Sequence, residues 1–126
     1  MWRTRRLRYL VLAIATIAVG LTVHLGGRVL APAVRDVLGD ALWATMIVWW
    51  ISAAAPRLPL RTRALAALAF CVAIELSQRY HTPSLDALRR TVPGHLVLGS
   101  GYDPRDLVAY AAGVAVAALL ARTIVE

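Results

Sequence analysis

The residue of this sequence best suited to chemistry is Glu75, a carboxylate near the end of an apolar stretch that begins at Ala64. Gln78 lies three positions later, so both side chains project from nearly the same face of a helix. A carboxylate at that depth in a bilayer is costly and usually faces the protein interior. Two interpretations stay open: Glu75 contacts a ligand, or it forms an ion pair, for example with Arg79, that serves only stability.

A second acidic residue, Asp106, lies near the start of another apolar stretch. Asp103-Pro104-Arg105-Asp106 is typical of a helix start, so a favourable interaction with the helix dipole explains part of the role of Asp106. Tyr110 and Gly113 follow at i+4 and i+7, which places a carboxyl, a phenol and a small residue on one helix face. Tyr110 also fits an anchor at the membrane interface. A ligand-binding role and these local roles both stay open.

The remaining candidates lie in or beside connecting segments. Asp40 precedes the apolar run Ala41 to Ala55, and we expect it to be the N-cap of that helix. Arg28 follows the first apolar stretch, where its charge reaches the lipid headgroups or pairs with an acid. Arg90 and His95 lie in a long connection between the third and fourth stretches.

These residues must be positioned by a membrane fold. The chain has 126 residues, of which 60% are hydrophobic, and a typical soluble domain has about 45–50%. Four apolar stretches predict an all-α integral membrane four-helix bundle, a single domain spanning the whole chain, with spans at about 7–26, 39–55, 63–80 and 104–124. The second span is short for a hydrocarbon layer of about 30 Å. The first is longer than the apolar core of a cleaved signal peptide, which favours a retained anchor.

The distribution of charged residues predicts the orientation of the chain in the membrane. All 14 basic residues are arginine, and the net charge is +7. Nucleic acid is not a predicted partner, because this composition cannot supply the surface of a soluble basic binding protein. Eight arginines lie on the side of the termini and six on the other, which predicts that both termini are cytoplasmic. The long connection is then extracytoplasmic, and Pro83 to Arg90 within it is predicted to form a short interfacial helix capped by Ser84.

Several chemical classes receive no support. No second histidine or cysteine stands at ligand spacing from His81 or His95, so no metal site is predicted. The sequence has no nucleophile elbow, phosphate-binding loop or dinucleotide motif, and no cofactor is expected. The lone Cys71 excludes an internal disulfide, and we expect it to be a small buried residue. Ala109, Gly113 and Ala117 are spaced for close helix contact, which predicts a homo-oligomer through this face.

An ordered set of motifs resembles a known family. Gly39-Asp40-Ala41-Leu42-Trp43, Ile74 to Gln78, Leu85 to Thr91, Gly94 to Gly99, and Asp106 to Tyr110 with Gly113 resemble the domain of unknown function 2809 family of small bacterial membrane proteins. A more distant similarity is to VanZ-like proteins, which also pair Glu-x-x-Gln with an Asp that opens the next span. The resemblance implies a multi-pass protein of the bacterial cytoplasmic membrane and carries no established activity. The VanZ-like similarity points to a ligand of the cell envelope.

The leading functional hypothesis is that this protein is embedded in the lipid bilayer and carries a polar ligand-binding site. We expect the extracytoplasmic cluster to bind an anionic lipid headgroup or a cell-envelope precursor. Glu75 and Gln78 would contact the ligand or orient Arg90, and Arg28 and Arg90 would pair with its charge. Two alternatives stay open: a membrane-embedded hydrolase or transferase with Glu75 as base, and a purely structural bundle. The full set of candidates is Arg28, Asp40, Glu75, Gln78, Arg90, His95, Asp106 and Tyr110.

Overall fold

A computed structural model gives the architecture of the chain and describes residues 2–26, 29–77, 83–91 and 104–126. These residues form five helices and no strand, which confirms the all-α prediction. They are α1 (Trp2–Leu25), α2 (Pro32–Ala54), α3 (Leu60–Ser77), the short α4 (Pro83–Arg90) and α5 (Pro104–Ile124). Three of them, α1, α2 and α5, are long and apolar enough to cross a membrane. The chain is therefore a multi-pass membrane protein.

The prediction of four spans differs from this result at α3. This helix has 18 residues, and it contains three charged side chains, those of Arg61, Arg63 and Glu75. By composition, the described part of this helix is therefore outside the class of helices apolar enough to span, although it runs beside α2 and α5. Its buried residues are four apart, with small side chains between two charged ones: Arg63, Ala67, Cys71 and Glu75. This spacing lets α3 pack closely while burying a charge near each end.

Helix α2 begins earlier than the sequence predicted. Pro32 occupies the start of the helix, where its missing N–H group costs nothing, and Ala31 precedes it without a side-chain cap. The 23-residue helix is long enough for a full span. Asp40 therefore lies eight residues beyond Pro32, well inside the helix, and its prediction as an N-cap is wrong. The charged residues before Ala41 were interpreted as a connection, but they form the first turns of α2.

The central contact of the bundle joins α2 to α5. Gly113 of α5 lies so close to α2 that a Cβ atom there would collide with the backbone of Ala41. The Thr45 hydroxyl lies between the two helices, 2.9 Å from the Ala41 carbonyl oxygen and 3.0 Å from that of Gly113. Small residues at four-residue spacing make this approach possible.

The same contact corrects the predicted homo-oligomer face. Ala109 and Ala117 are 5% and 0% exposed, and Gly113 is buried against α2. The small-residue face of α5 thus packs inside the chain, where no second copy can reach it. The spacing correctly indicated a close helix contact, but the partner helix belongs to the same chain.

Helix α1 packs against α2, and α3 packs against both α2 and α5. The Trp49 indole N–H of α2 donates to the Thr16 hydroxyl of α1 at 3.0 Å, and the rings of Tyr9 and Trp49 lie 5.7 Å apart. Cys71 is buried and free, as predicted. The helices alternate in direction, so the residues near the starts of α2 and α5 meet those near the end of α3.

Candidate functional site

Four of the predicted site residues meet at that end of the bundle. Asp40 comes from α2, Glu75 from α3, and Asp106 and Tyr110 from α5. The Tyr110 hydroxyl donates a 2.9 Å hydrogen bond to Oε2 of Glu75, and a side-chain hydrogen bond joins Asp40 to Asp106. We call these four residues the acidic cluster. Glu75 is fully buried and Tyr110 nearly so, whereas Asp40 and Asp106 are half-buried and lie nearer the surface.

The acidic cluster combines groups of like charge. Two carboxyl groups can hydrogen-bond to each other only when one of them carries a proton. The Asp40 carboxyl also interacts with the negative charges of Glu75 and of the exposed Asp36. Oxygen atoms from three carboxyls and one phenol therefore face one small region. The ligand groups that match such a region are hydrogen-bond donors, namely hydroxyl and ammonium groups.

The other predicted site residues are not among the four that meet in the acidic cluster. Arg28, Gln78 and His95 lie outside the described residues. Arg90 is exposed on α4, where its Nε donates a 3.2 Å hydrogen bond to the Asp86 carbonyl oxygen of the same helix. Helix α4 has the bounds Pro83–Arg90, so it begins one residue before the predicted cap, Ser84.

A second polar cluster lies at the opposite end of the bundle, and the sequence analysis missed it. Arg63 is 1% exposed, and all three nitrogens of its guanidinium donate hydrogen bonds. Nε donates to the Leu58 carbonyl oxygen at 2.9 Å, and one terminal nitrogen donates to the Tyr9 hydroxyl at 3.1 Å and to Ser52 Oγ at 2.9 Å. The other terminal nitrogen donates to Glu126 Oε1 at 2.8 Å.

Glu126 receives donors from two further residues of α1. The Tyr9 hydroxyl donates to Oε2 of Glu126 at 2.7 Å, and Nε of Arg5 lies 3.3 Å from the same oxygen. We call Arg5, Tyr9, Ser52, Arg63 and Glu126 the arginine cluster. The cluster ties together α1, α2, α3 and the residues that follow α5.

The sequence contains one signal for the arginine cluster. Arg63 is one of the eight arginines on the side of the termini, and it stands at the first position of the third predicted span. It stands one turn before Ala67, in the same four-residue series as Cys71 and Glu75. Extending that series backwards from Glu75 places Arg63 on the buried face of α3. Tyr9 and Glu126 carry no comparable pattern.

Metal binding finds no support in the geometry. Within residues 2–26, 29–77, 83–91 and 104–126, no group of three or more His, Cys, Asp or Glu side chains is arranged to hold a metal ion.

Comparison with known proteins identifies a family whose model matches this chain. A family model described as a protein of unknown function, DUF2809, matches residues 29–114. This range contains all four residues of the acidic cluster, whereas Tyr9 and Glu126 of the arginine cluster lie outside it. The match gives no relation to VanZ-like proteins. No solved structure matches the chain.

Proposed function

We propose a ligand-binding function for this chain, which belongs to the DUF2809 family of proteins of unknown function, and we assign the site to its acidic cluster. The ligand is a phosphate-bearing lipid headgroup or a cell-envelope precursor that also carries hydroxyl or ammonium groups. In this proposal the acidic cluster contacts those donor groups, and Arg28 and Arg90 contact the phosphate. The cluster faces the extracytoplasmic side in this proposal.

The observation that carries the proposal is the gathering of acids from three helices at one end of the bundle, where Asp40 and Asp106 lie together beside the Glu75 carboxyl that accepts from Tyr110. Gathering acids in a half-buried site lowers stability unless something binds them, and ionisable groups within membrane segments are typically functional. Both side chains are partly exposed, so a ligand can reach them from the surface. A headgroup ammonium that replaces the shared proton supplies a compensating positive charge between the two carboxylates, and a headgroup hydroxyl can donate a hydrogen bond to the carboxyl that lacks the proton.

The roles differ within the site. Asp40 and Asp106 are the contact residues, because they lie nearest the surface. Glu75 is a positioning residue, since it is fully buried and already accepts the Tyr110 hydrogen bond. This burial also gives no support to Glu75 as a general base. Arg28 and Arg90 are the proposed phosphate partners, and Gln78 and His95 complete the proposed site.

The test is lipid retention by the purified protein. Wild-type protein in detergent is mixed with equal amounts of phosphatidylethanolamine, phosphatidylglycerol and phosphatidylcholine, and bound lipid is counted by native mass spectrometry. The first lipid carries a primary ammonium, the second carries hydroxyls with net negative charge, and the third carries neither donor. We expect retention of one or both donor-bearing lipids and little phosphatidylcholine.

Variants assign the retained lipid to the site. Asp40→Asn and Asp106→Asn should each reduce retention several-fold. Arg90→Ala should reduce retention of phosphatidylglycerol, which has a net negative charge. Asp36→Asn is the matched control, because it removes an exposed acid one turn from Asp40 on the same helix. Equal retention by wild type, Asp40→Asn and Asp106→Asn would contradict the proposal and leave the structural interpretation of the cluster.

A further inference from the structure

We propose that the arginine cluster is a second anion site, distinct from the acidic cluster, in which the Glu126 carboxylate occupies the place of a phosphate group. Arg5, Tyr9 and Arg63 are the binding residues. A phospholipid phosphate at the adjoining membrane surface competes with Glu126 for them. The proposal does not depend on the function assigned to the acidic cluster.

The first argument is the geometry around the Glu126 carboxylate. Both of its oxygens receive donors: Oε1 from Arg63 at 2.8 Å, and Oε2 from Tyr9 at 2.7 Å and Arg5 at 3.3 Å. All three donors come from α1 and α3, so they form a site without any contribution from α5. Two guanidinium groups and a phenol are the donors that suit a phosphate as well as a carboxylate.

The second argument is preorganisation of the buried donor. Arg63 is fixed by the Leu58 carbonyl, by Ser52 and by the Tyr9 hydroxyl, so its remaining nitrogen points at the anion position whether or not Glu126 is there. Removing the anion leaves a buried guanidinium without its charge partner, which is unfavourable. A replacement anion is therefore favoured by the same interactions that hold Glu126.

The third argument is the charge at this end of the bundle. Among the described residues there, Glu126 is the single acid, and two of the arginines at that end, Arg5 and Arg63, contact it. The other arginines on the segments that meet at this end are Arg3, Arg6, Arg8, Arg57, Arg61 and Arg122. The Trp2 ring lies 4.8 Å from the Arg5 guanidinium and 5.8 Å from that of Arg57. Tryptophan beside arginine is typical of the headgroup level of a membrane. Anionic headgroups are thus concentrated next to a carboxylate whose side chain is 22% exposed.

The experiment removes the internal carboxylate. Glu126→Gln protein in detergent is titrated with phosphatidic acid, and bound lipid is counted by native mass spectrometry beside the wild type. We expect the variant to retain several-fold more phosphatidic acid than wild type. Inorganic phosphate and phosphatidylcholine are titrated in parallel arms. A gain with inorganic phosphate as well assigns the site to free phosphate or lipid phosphate, and a gain with phosphatidic acid alone assigns it to lipid.

Further variants assign the gain to the cluster. Adding Arg5→Gln or Tyr9→Phe to Glu126→Gln should abolish most of the gain, since each removes one donor at the anion position and spares Arg63. Arg122→Gln added to Glu126→Gln removes an exposed arginine near the same end and should leave the gain intact. Asp36→Asn changes the net charge of the chain as Glu126→Gln does, and it should produce no gain.

Two results would overturn the proposal. The first is equal retention of phosphatidic acid and of phosphate by wild type and Glu126→Gln. The second is a gain that survives in the double variants with Arg5→Gln and Tyr9→Phe, because the added anion would then bind elsewhere.

Discussion

At the arginine cluster, the buried charge of Arg63 meets an opposite charge and three further acceptors. At the acidic cluster, by contrast, two acids lie together and can hydrogen-bond to each other only when one of them holds a proton. The two clusters lie on one face of α3, twelve residues apart, or about 18 Å along the helix. A paired charge at the end of a bundle contributes to holding the helices together. A group of acids does so only when a proton or a ligand joins them.

This difference predicts that the two clusters respond oppositely to loss of charge. Variants of the arginine cluster should lose stability, because each leaves buried groups without partners. Variants of the Asp40 and Asp106 pair should keep stability and lose binding.

The largest effect is expected for Arg63→Met. The substitution keeps a long apolar side chain and leaves Glu126, Tyr9 and Ser52 without the guanidinium, at a cost of about 3–5 kcal/mol in unfolding free energy. Chemical denaturation in detergent measures it. Arg61→Met on the exposed side of the same helix is the control and should change stability little. Equal effects of the two variants would mean that Arg63 is not buried in a paired site.

Gly113→Ala should have the next largest effect. The new methyl group collides with the Ala41 backbone and separates α2 from α5 beside the acidic cluster, which costs about 1–3 kcal/mol. Gly39→Ala is the matched control: nothing lies within 4 Å of its Cβ position, and alanine is the better helix former, so stability should rise slightly. Thermal unfolding of both variants in the same detergent compares them, and an unchanged Tm for Gly113→Ala would contradict the close contact.

Two acid-to-amide substitutions test the comparison directly. Glu126→Gln weakens charge-assisted hydrogen bonds from Arg63 and Arg5 and should lower stability by about 1.5–3 kcal/mol. Asp40→Asn replaces one carboxyl of the pair with an amide that can donate to Asp106 without a bound proton, so stability should stay the same or rise. Denaturation midpoints of the two variants, measured side by side with the wild type, give the sign of each change in stability. A loss of equal size in both would remove the proposed difference between the clusters.

The smallest effect is expected for Tyr110→Phe. The ring keeps its packing, and one hydrogen bond to Glu75 is lost, at a cost of about 1 kcal/mol. The same detergent unfolding assay detects it. A loss above about 3 kcal/mol would indicate that the hydroxyl supports more than this one bond.

Residue patterns predicted much of this architecture. The apolar lengths indicated α1 and α5, the sequence from Pro83 to Arg90 indicated α4, and the spacing of Ala109, Gly113 and Ala117 indicated a close contact. Convergence of Asp40, Glu75, Asp106 and Tyr110 followed from the alternation of helix directions. In each case the signal is local or periodic, and topology then brings the pieces together.

One error arose from a local signal that was overlooked, and two arose where tertiary contacts decide the outcome. Asp40 precedes an apolar run and has the composition of a cap, but Pro32, a proline suited to the first position of a helix, marks where α2 begins. The partner of Gly113 depends on which helices are neighbours, and spacing alone does not specify it. Arg63 resembled an orienting surface charge, because the carboxylate that compensates it lies 63 residues later in the chain.

The four-residue series on α3 limits how the length of this segment can change. Arg63 and Glu75 are each fixed by contacts to other helices, and the helix between them sets their relative angle. One inserted or deleted residue between them rotates one end by about 100° relative to the other. Either the guanidinium or the carboxylate would then face lipid. Substitutions at exposed positions such as Leu65 and Phe70 are compatible with the fold, but single-residue insertions between Arg63 and Glu75 are not.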